Sequence, residues 1–183
     1  MTWMIPGTVL HADRSEADQI PQQLEALFFG GGITLSQVTA ITGLEPHTVQ
    51  NWVKRRFVTS PEAKRYSLRQ LCRIININLL KGALQLDEIT RLLSYINGDL
   101  TDESDDLVDD TQLFFMFVKL AARARHIGGT QEWGAAMEEV VQDYVEPVPG
   151  AKERLVKVLR IMLTAWIASR LRQQAEDMLK ELN

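Results

Sequence analysis

Seven cations fall between residues 54 and 73: Lys54, Arg55, Arg56, Lys64, Arg65, Arg69 and Arg73. A single anion, Glu62, shares that stretch. Clustered lysine and arginine can do one kind of chemistry unaided, which is to replace the counter-ions held by phosphate groups. The rest of the chain holds 13 basic and 23 acidic residues, a balance of −10, so the formal charge of −4 conceals a basic patch. A whole-chain pI does not report such segregation. Lys54 alone is explained by a cation complementing the dipole at a helix C-terminus. The group as a whole asks for more, because its members fall on a helix end, the segment after it and the start of the next helix.

Other reactive side chains are sparse. His11, His47 and His126 lie far apart, and none has an HExxH-like neighbour. Cys72 is the sole cysteine, which excludes an intramolecular disulfide and a cysteine-based zinc cluster. Its place just before Ile74 and Ile75 marks it as a structural thiol. The stretch DLTDESDDLVDD at 99–110 holds seven acids but lacks the glycine and terminal glutamate spacing of a calcium loop. No phosphate-binding loop, GxSxG or dinucleotide fingerprint occurs, and GGGIT at 30–34 follows a helix where a dinucleotide site needs a strand. Neither catalysis, a metal nor a cofactor is expected. Phe114, Phe115, Met116 and Phe117 suit a plain core better than the lining of a sensory pocket.

The elements that must position the cations are helical. Leu24, Leu27 and Phe28 mark a helix over 21–29 that ends at Gly30-Gly31-Gly32. Thr34 and Gln37 form a capping box that opens a short helix with Leu35, Val38 and Ile41 inward. Gly43 permits a sharp turn, and Pro46 suits the first position of a helix over 46–55. FVTSPEAKRY at 57–66 reads as a small hairpin and is the only strand candidate. Ser67 and Gln70 cap a further helix with Leu71, Ile74, Ile75 and Leu79 inward. Leu86, Ile89, Leu92, Leu93 and Ile96 define another, ending at Asn97-Gly98.

The acidic stretch 99–110 reads as a solvated linker and a domain boundary. Beyond it, 112–127 is apolar on most faces, and 131–145 carries Trp133, Met137, Val140, Val141 and Tyr144 on one stripe. After Pro147, Pro149 and Gly150, residues 151–182 read as one long helix. Its apolar stripe loses heptad phase near Ser169 and Arg170. The densest apolar run, LFFMFV at 113–118, falls far short of the roughly 20 residues a membrane helix needs. With no visible secretory signal and a single cysteine, a soluble cytoplasmic protein is expected.

From Ile33 to Ile96 the order of features resembles the winged helix-turn-helix of MerR-type regulators, through TLSQVTAITGLEPHTV, the hairpin ending in KRYS, and LQLDEITRLL. More closely, QNWVKRRFVTSPEAKRYSLRQLCRIININLLK is similar to a bacterial family known as domain of unknown function 1836, itself regarded as carrying a MerR-like module. The resemblance implies a winged helix-turn-helix with a β-hairpin wing at 33–98; with the helical patterning on either side, a mainly all-α fold is expected, with an N-terminal extension at 1–32, the acidic linker at 99–110 and a C-terminal helical bundle at 111–183. It gives Leu44, Val49, Trp52 and Phe57 core roles. It also implies double-stranded DNA as partner, contacted through recognition helix 46–55 and wing 57–66. The exposed positions are then His47, Thr48, Gln50, Asn51, Lys54 and Arg55. Gln50 and Asn51 carry amides suited to bidentate contact with adenine. Thr48, Lys54, Arg55, Lys64, Arg65 and the Tyr66 hydroxyl would contact phosphates, with Arg69 beside them.

The sequence departs from MerR regulators at His47, where a basic residue is usual, at Asn51, where an aromatic is usual, and in its short wing. The alternative is a degenerate winged helix reused as a protein-interaction module without nucleic acid. Modules that read two half-sites dimerise, so a homodimer through the C-terminal helices is the expected oligomer.

Overall fold

The computed structural model describes residues 2–124 and 130–182. His126, and the end of the helix expected over 112–127, lie outside the described residues. The chain is mainly helical, with two small antiparallel sheets. Strands β1 (Thr2–Met4) and β2 (His11–Asp13) form an N-terminal hairpin, followed by a 3-10 segment and helix α1 (Ile20–Ala26). The short strand β3 (Ile33–Thr34) leads into α2 (Leu35–Thr42). Then come α3 (Pro46–Lys54), β4 (Arg65–Tyr66), α4 (Leu68–Leu80) and α5 (Leu86–Asn97). Helices α6 (Asp110–Arg123), α7 (Thr130–Val140) and α8 (Ala151–Lys180) complete it.

Both capping boxes form. The Gln37 backbone N–H donates to Thr34 Oγ1 at 3.4 Å, while the Thr34 N–H donates to the Gln37 side chain at 2.9 Å. Ser67 and Gln70 repeat the exchange at 3.2 and 2.8 Å. These bonds satisfy N–H groups that the first helical turn leaves open, so the starts of α2 and α4 are fixed locally. Gly43 ends α2 in the left-handed region, φ 69°, and Pro46 opens α3 three residues on.

Helix α4 is the axis of the molecule. Residues 71–77 are all buried, and α2, α5, α6 and α8 pack around it. Burial all round explains why its sequence is apolar on more than one stripe. The buried side chains form one hydrophobic cluster from Trp3 to Ile167 that runs through both sides of the acidic stretch. Asn78 ties three chain segments together, its amide donating to Gly7 O at 2.9 Å and Thr42 O at 3.0 Å.

Two expectations need correction. The first concerns strands. Residues 57–60 do not pair with 65–66, because Phe57 and Val58 are buried as core residues. Strand β4 pairs instead with β3, in the register Ile33↔Tyr66 and Thr34↔Arg65. Only Glu62 and Arg65 bridge across the turn itself. The N-terminal hairpin also supplies strands where none was expected. Strands of two or three residues are too short for alternation to reveal them.

The second concerns the acidic stretch. Asp102, Ser104 and Asp105 are exposed, but Asp106 is half-buried, and Val108 and Asp110 are buried. The segment is held to the body by the Leu107 N–H donating to Ile96 O at 2.8 Å and the Tyr144 hydroxyl donating to Leu107 O at 2.7 Å. Asp109 is spent as the cap of α6, accepting from the N–H groups of Thr111 and Gln112. Its second half is therefore packed against the helices on both sides of it, not solvated.

Helix α8 has two halves. Leu155, Leu159, Met162 and Leu163 are fully buried, whereas every residue from 170 to 182 is exposed. The change falls where Gly82 meets Ser169; a Cβ on Gly82 would lie 2.0 Å from the Ser169 Oγ. That close approach, between two small residues, coincides with the loss of heptad phase. Phe114 and Phe117 are fully buried, and Phe117 meets Trp166 edge-on with ring centroids 6.0 Å apart.

Candidate anion-binding face

Helix α3 is amphipathic in a simple way. Val49 and Trp52 point inward, fully or nearly fully buried, with Leu44 before them and Phe57 after them also in the core. His47, Gln50, Asn51 and Lys54 are exposed. Their spacing of three, one and three residues places them on one face of the helix. Thr48 flanks that face and is half-buried. Arg55 follows as the C-cap, its guanidinium 4.6 Å from the centroid of the Phe57 ring, which gives the charge a fixed seat at the surface. Arg56 turns the chain in the left-handed region, φ 60°.

The next segment is hung on α4. Arg73 Nε donates to Phe57 O at 3.2 Å. The Gln70 amide donates to Thr59 Oγ1 at 3.0 Å and Ser60 O at 2.9 Å. The chain then reverses over Ala63 and Lys64, both left-handed at φ 45° and 63°, with the Arg65 N–H donating to Glu62 O at 2.8 Å. Two successive positive φ values define a primed two-residue turn, a conformation costing ~1 kcal/mol or more at each non-glycine residue. Lys64 is thereby held exposed at the tip of the turn.

Arg65 is also exposed and donates to Gly32 O at 3.1 Å, crossing from the turn to the loop before β3. Tyr66 is buried, so its ring belongs to the core, and burial raises its hydroxyl pKa. Arg65, Tyr66, Arg69 and Arg73 line one cleft of about 580 Å³, floored by the start of α4 and walled by Gly31–Gly32, residues 58–60 and residues 62–63. None of the α3 residues line it. The expected site residues thus fall into two groups: the outer face of α3, and the cleft beside the turn.

The cations divide differently. Lys54, Arg55, Arg56, Lys64 and Arg65 are exposed. Arg69 is half-buried and donates from Nη2 to Asp106 Oδ2 at 2.7 Å. Arg73 is 4% exposed and faces Asp110, itself 2% exposed, at 3.4 Å; Asn76 donates to the Asp110 carbonyl at 3.2 Å. Burial pushes the Asp106 carboxyl up to about 6, with Arg69 opposing the rise and Asp110 and Asp105 adding to it. Burial likewise raises Asp110, against the opposing pull of Arg73 and Asn76. The inference from sequence missed both aspartates. Half of a signal was present: Arg69 and Arg73 are four residues apart and share one face of α4, but Asp106 lies in extended chain before α6, so no helical spacing announced its meeting with Arg69.

Among the described residues, no three His, Cys, Asp or Glu side chains gather as a metal site. Cys72 is buried, and burial lifts its thiol well above the usual range, which keeps it protonated and unreactive. No helix among the described residues is long and apolar enough to cross a membrane.

The architecture is therefore a mainly helical domain that presents one polar helix face and one arginine-lined cleft. The domain-of-unknown-function family DUF1836 matches residues 19–116, more than half of the chain, and the protein belongs to that family. The match runs from the end of the 3-10 segment through the acidic stretch into α6, and so contains both the α3 face and the two arginine–aspartate pairs. No curated protein and no solved structure matches the chain.

Proposed function

We propose that the protein is a cytoplasmic DNA-binding regulator whose α2–turn–α3 unit is a MerR-like helix-turn-helix and whose 62–65 turn is a reduced wing. The observation that carries the reading is the outer face of α3. It gathers His47, Gln50, Asn51 and Lys54 on a helix whose opposite face is locked into the core by Val49 and Trp52. Amides on a rigid helix can each make two hydrogen bonds to an adenine edge, while Arg55, Lys64 and Arg65 neutralise phosphates and set register. Arg69 contributes only in so far as it is shared with Asp106.

Two half-sites require two copies, and the exposed half of α8 offers the surface. Leu171, Met178, Leu179 and Leu182 stand exposed there with no cover. A homodimer through these helices is part of the proposal. Sedimentation of Leu171→Glu/Leu179→Glu should give a monomer if it is right.

The test of DNA binding is fluorescence anisotropy with random and genomic duplexes at several salt concentrations. Binding should weaken steeply with salt and be lost in Arg55→Ala/Arg65→Ala. Absence of binding even at low salt ends the proposal. The rival, a protein-interaction module without nucleic acid, is favoured by the internal neutralisation of Arg69 and Arg73. A partner captured independently of salt and nuclease would select it.

A further inference from the structure

The arginine-lined cleft has properties that DNA reading by α3 does not use. Its volume of about 580 Å³ is that of a small-molecule site. Arg65, Arg69 and Arg73 line it together with the hydroxyls of Thr59, Ser60 and Ser67. Thr59 Oγ1 accepts from the Gln70 amide and Ser67 Oγ accepts from the Gln70 backbone N–H, so both keep an O–H to donate. Arg73 is nine-tenths buried and held in place through Nε and Nη1. Its remaining nitrogen, Nη2, finds no acceptor among the described residues. Planar guanidinium forks flanked by hydroxyl donors suit the several oxygens of a phosphoryl group better than a single carboxylate.

Asp106 is a poor match for the position it occupies. One oxygen takes the Arg69 bond, but Oδ1 is buried without a hydrogen-bond partner. An unsatisfied buried oxygen costs free energy that its release to water recovers. Leu100 and Asp110, from the same acidic stretch, line the cleft, and Asp106 is joined to it through its bond to Arg69. Of the acids that line the cleft, Asp110 is matched by Arg73, and Glu62 is exposed on the turn.

We propose that this cleft binds a phosphoryl group, and that the Asp106 carboxylate is its internal stand-in, holding Arg69 until the phosphoryl group displaces it. The site stands on the cleft alone and does not need α3 to read bases. Its phosphoryl group belongs either to a DNA strand or to a free phosphorylated small molecule.

The experiment uses the full chain. Thermal stabilisation by inorganic phosphate and pyrophosphate is measured against sodium chloride at matched ionic strength, with duplex anisotropy in parallel. Asp106→Asn should tighten phosphate by on the order of fivefold, the effect of removing one partly screened competing charge. Arg69→Gln should abolish the response. The double variant Asp106→Asn/Arg69→Gln, which removes both members of the ion pair, should be folded and equally unresponsive. If the variants move phosphate and duplex affinity together, the phosphoryl group is that of DNA. If phosphate responds and no duplex binds, the ligand is a phosphorylated small molecule, and the cleft survives the loss of the DNA reading. If phosphate stabilises no more than chloride and Asp106→Asn changes neither affinity, the cleft proposal is overturned, whatever α3 does.

Discussion

The cations after Trp52 and the cations at the start of α4 look alike in sequence and meet opposite fates. Lys54, Arg55 and Arg56, with Lys64 and Arg65, are turned to solvent. Arg69 and Arg73 face inward, toward aspartates 37 positions further on. The difference is one of position in the fold. Arg73 lies between Cys72 and Ile74 on a helix buried all round, so its charge has nowhere to go but to a partner. Arg55 lies just past the end of α3, where the chain turns outward and Phe57 offers a ring to stack on. A basic patch counted along the chain is thus two things: an exposed surface that meets partners, and a set of internal clamps that fasten the acidic stretch.

The most severe way to break this contrast is to remove one buried charge. Arg73→Ala leaves Asp110 buried without its counter-charge and cuts the bond to Phe57 O, and should cost about 3–5 kcal/mol. Arg55→Ala, on the exposed side, should stay within about 0.5 kcal/mol of the parent. Urea unfolding of the two variants side by side checks both. Equal losses would show that the two regions do not differ as described.

How much of this could be read beforehand follows the same line. The helix starts were legible because Thr34-x-x-Gln37 and Ser67-x-x-Gln70 satisfy backbone donors locally, and local rules need no tertiary knowledge. Leu44, Val49, Trp52 and Phe57 were expected in the core through the family resemblance, and all four are buried. The pairing of β4 with β3 was not legible, since Thr34 and Arg65 are 31 positions apart and each strand offers two residues of pattern. Nor was the folding back of 106–110. Seven acids in a row of twelve read as solvated because composition carries no information about which carboxylate meets which arginine. Of the candidate site, the α3 face was named through the family resemblance, whereas the cleft depends on a turn, a glycine loop and a helix start that only the fold assembles.

A second prediction sharpens the contrast on the side of recognition. Asn51→Ala should cost about 1–3 kcal/mol of discrimination at one base position if its amide reads an adenine. Lys64→Ala should weaken all sequences alike and lower the salt slope by about 1. Anisotropy on a set of single-base operator variants separates the two. A uniform loss from Asn51→Ala would place it among the phosphate contacts.

The smallest expected effect concerns the clamp that is only half-buried. Burial raises Asp106 to about 6 although Arg69 sits 2.7 Å away, with Asp105 and Asp110 adding to the rise. In the unfolded chain the same carboxyl titrates near the ordinary aspartate value. Between those two values the folded state holds a proton that the unfolded state has lost, so stability falls as pH rises through this window. Asp110 is shifted in the same direction and adds to the slope. Asp106→Asn removes the Asp106 share alone. Relative to the parent, the variant should therefore gain stability as pH is raised from 4 to 7, most of the change arriving by pH 6. Paired urea titrations across that range measure the difference, from which shared ionisations such as Asp13 cancel. A parent that instead gains on the variant as pH rises would mean that Arg69 holds Asp106 more firmly than burial repels it, and that the clamp at 106 is as tight as the one at 110.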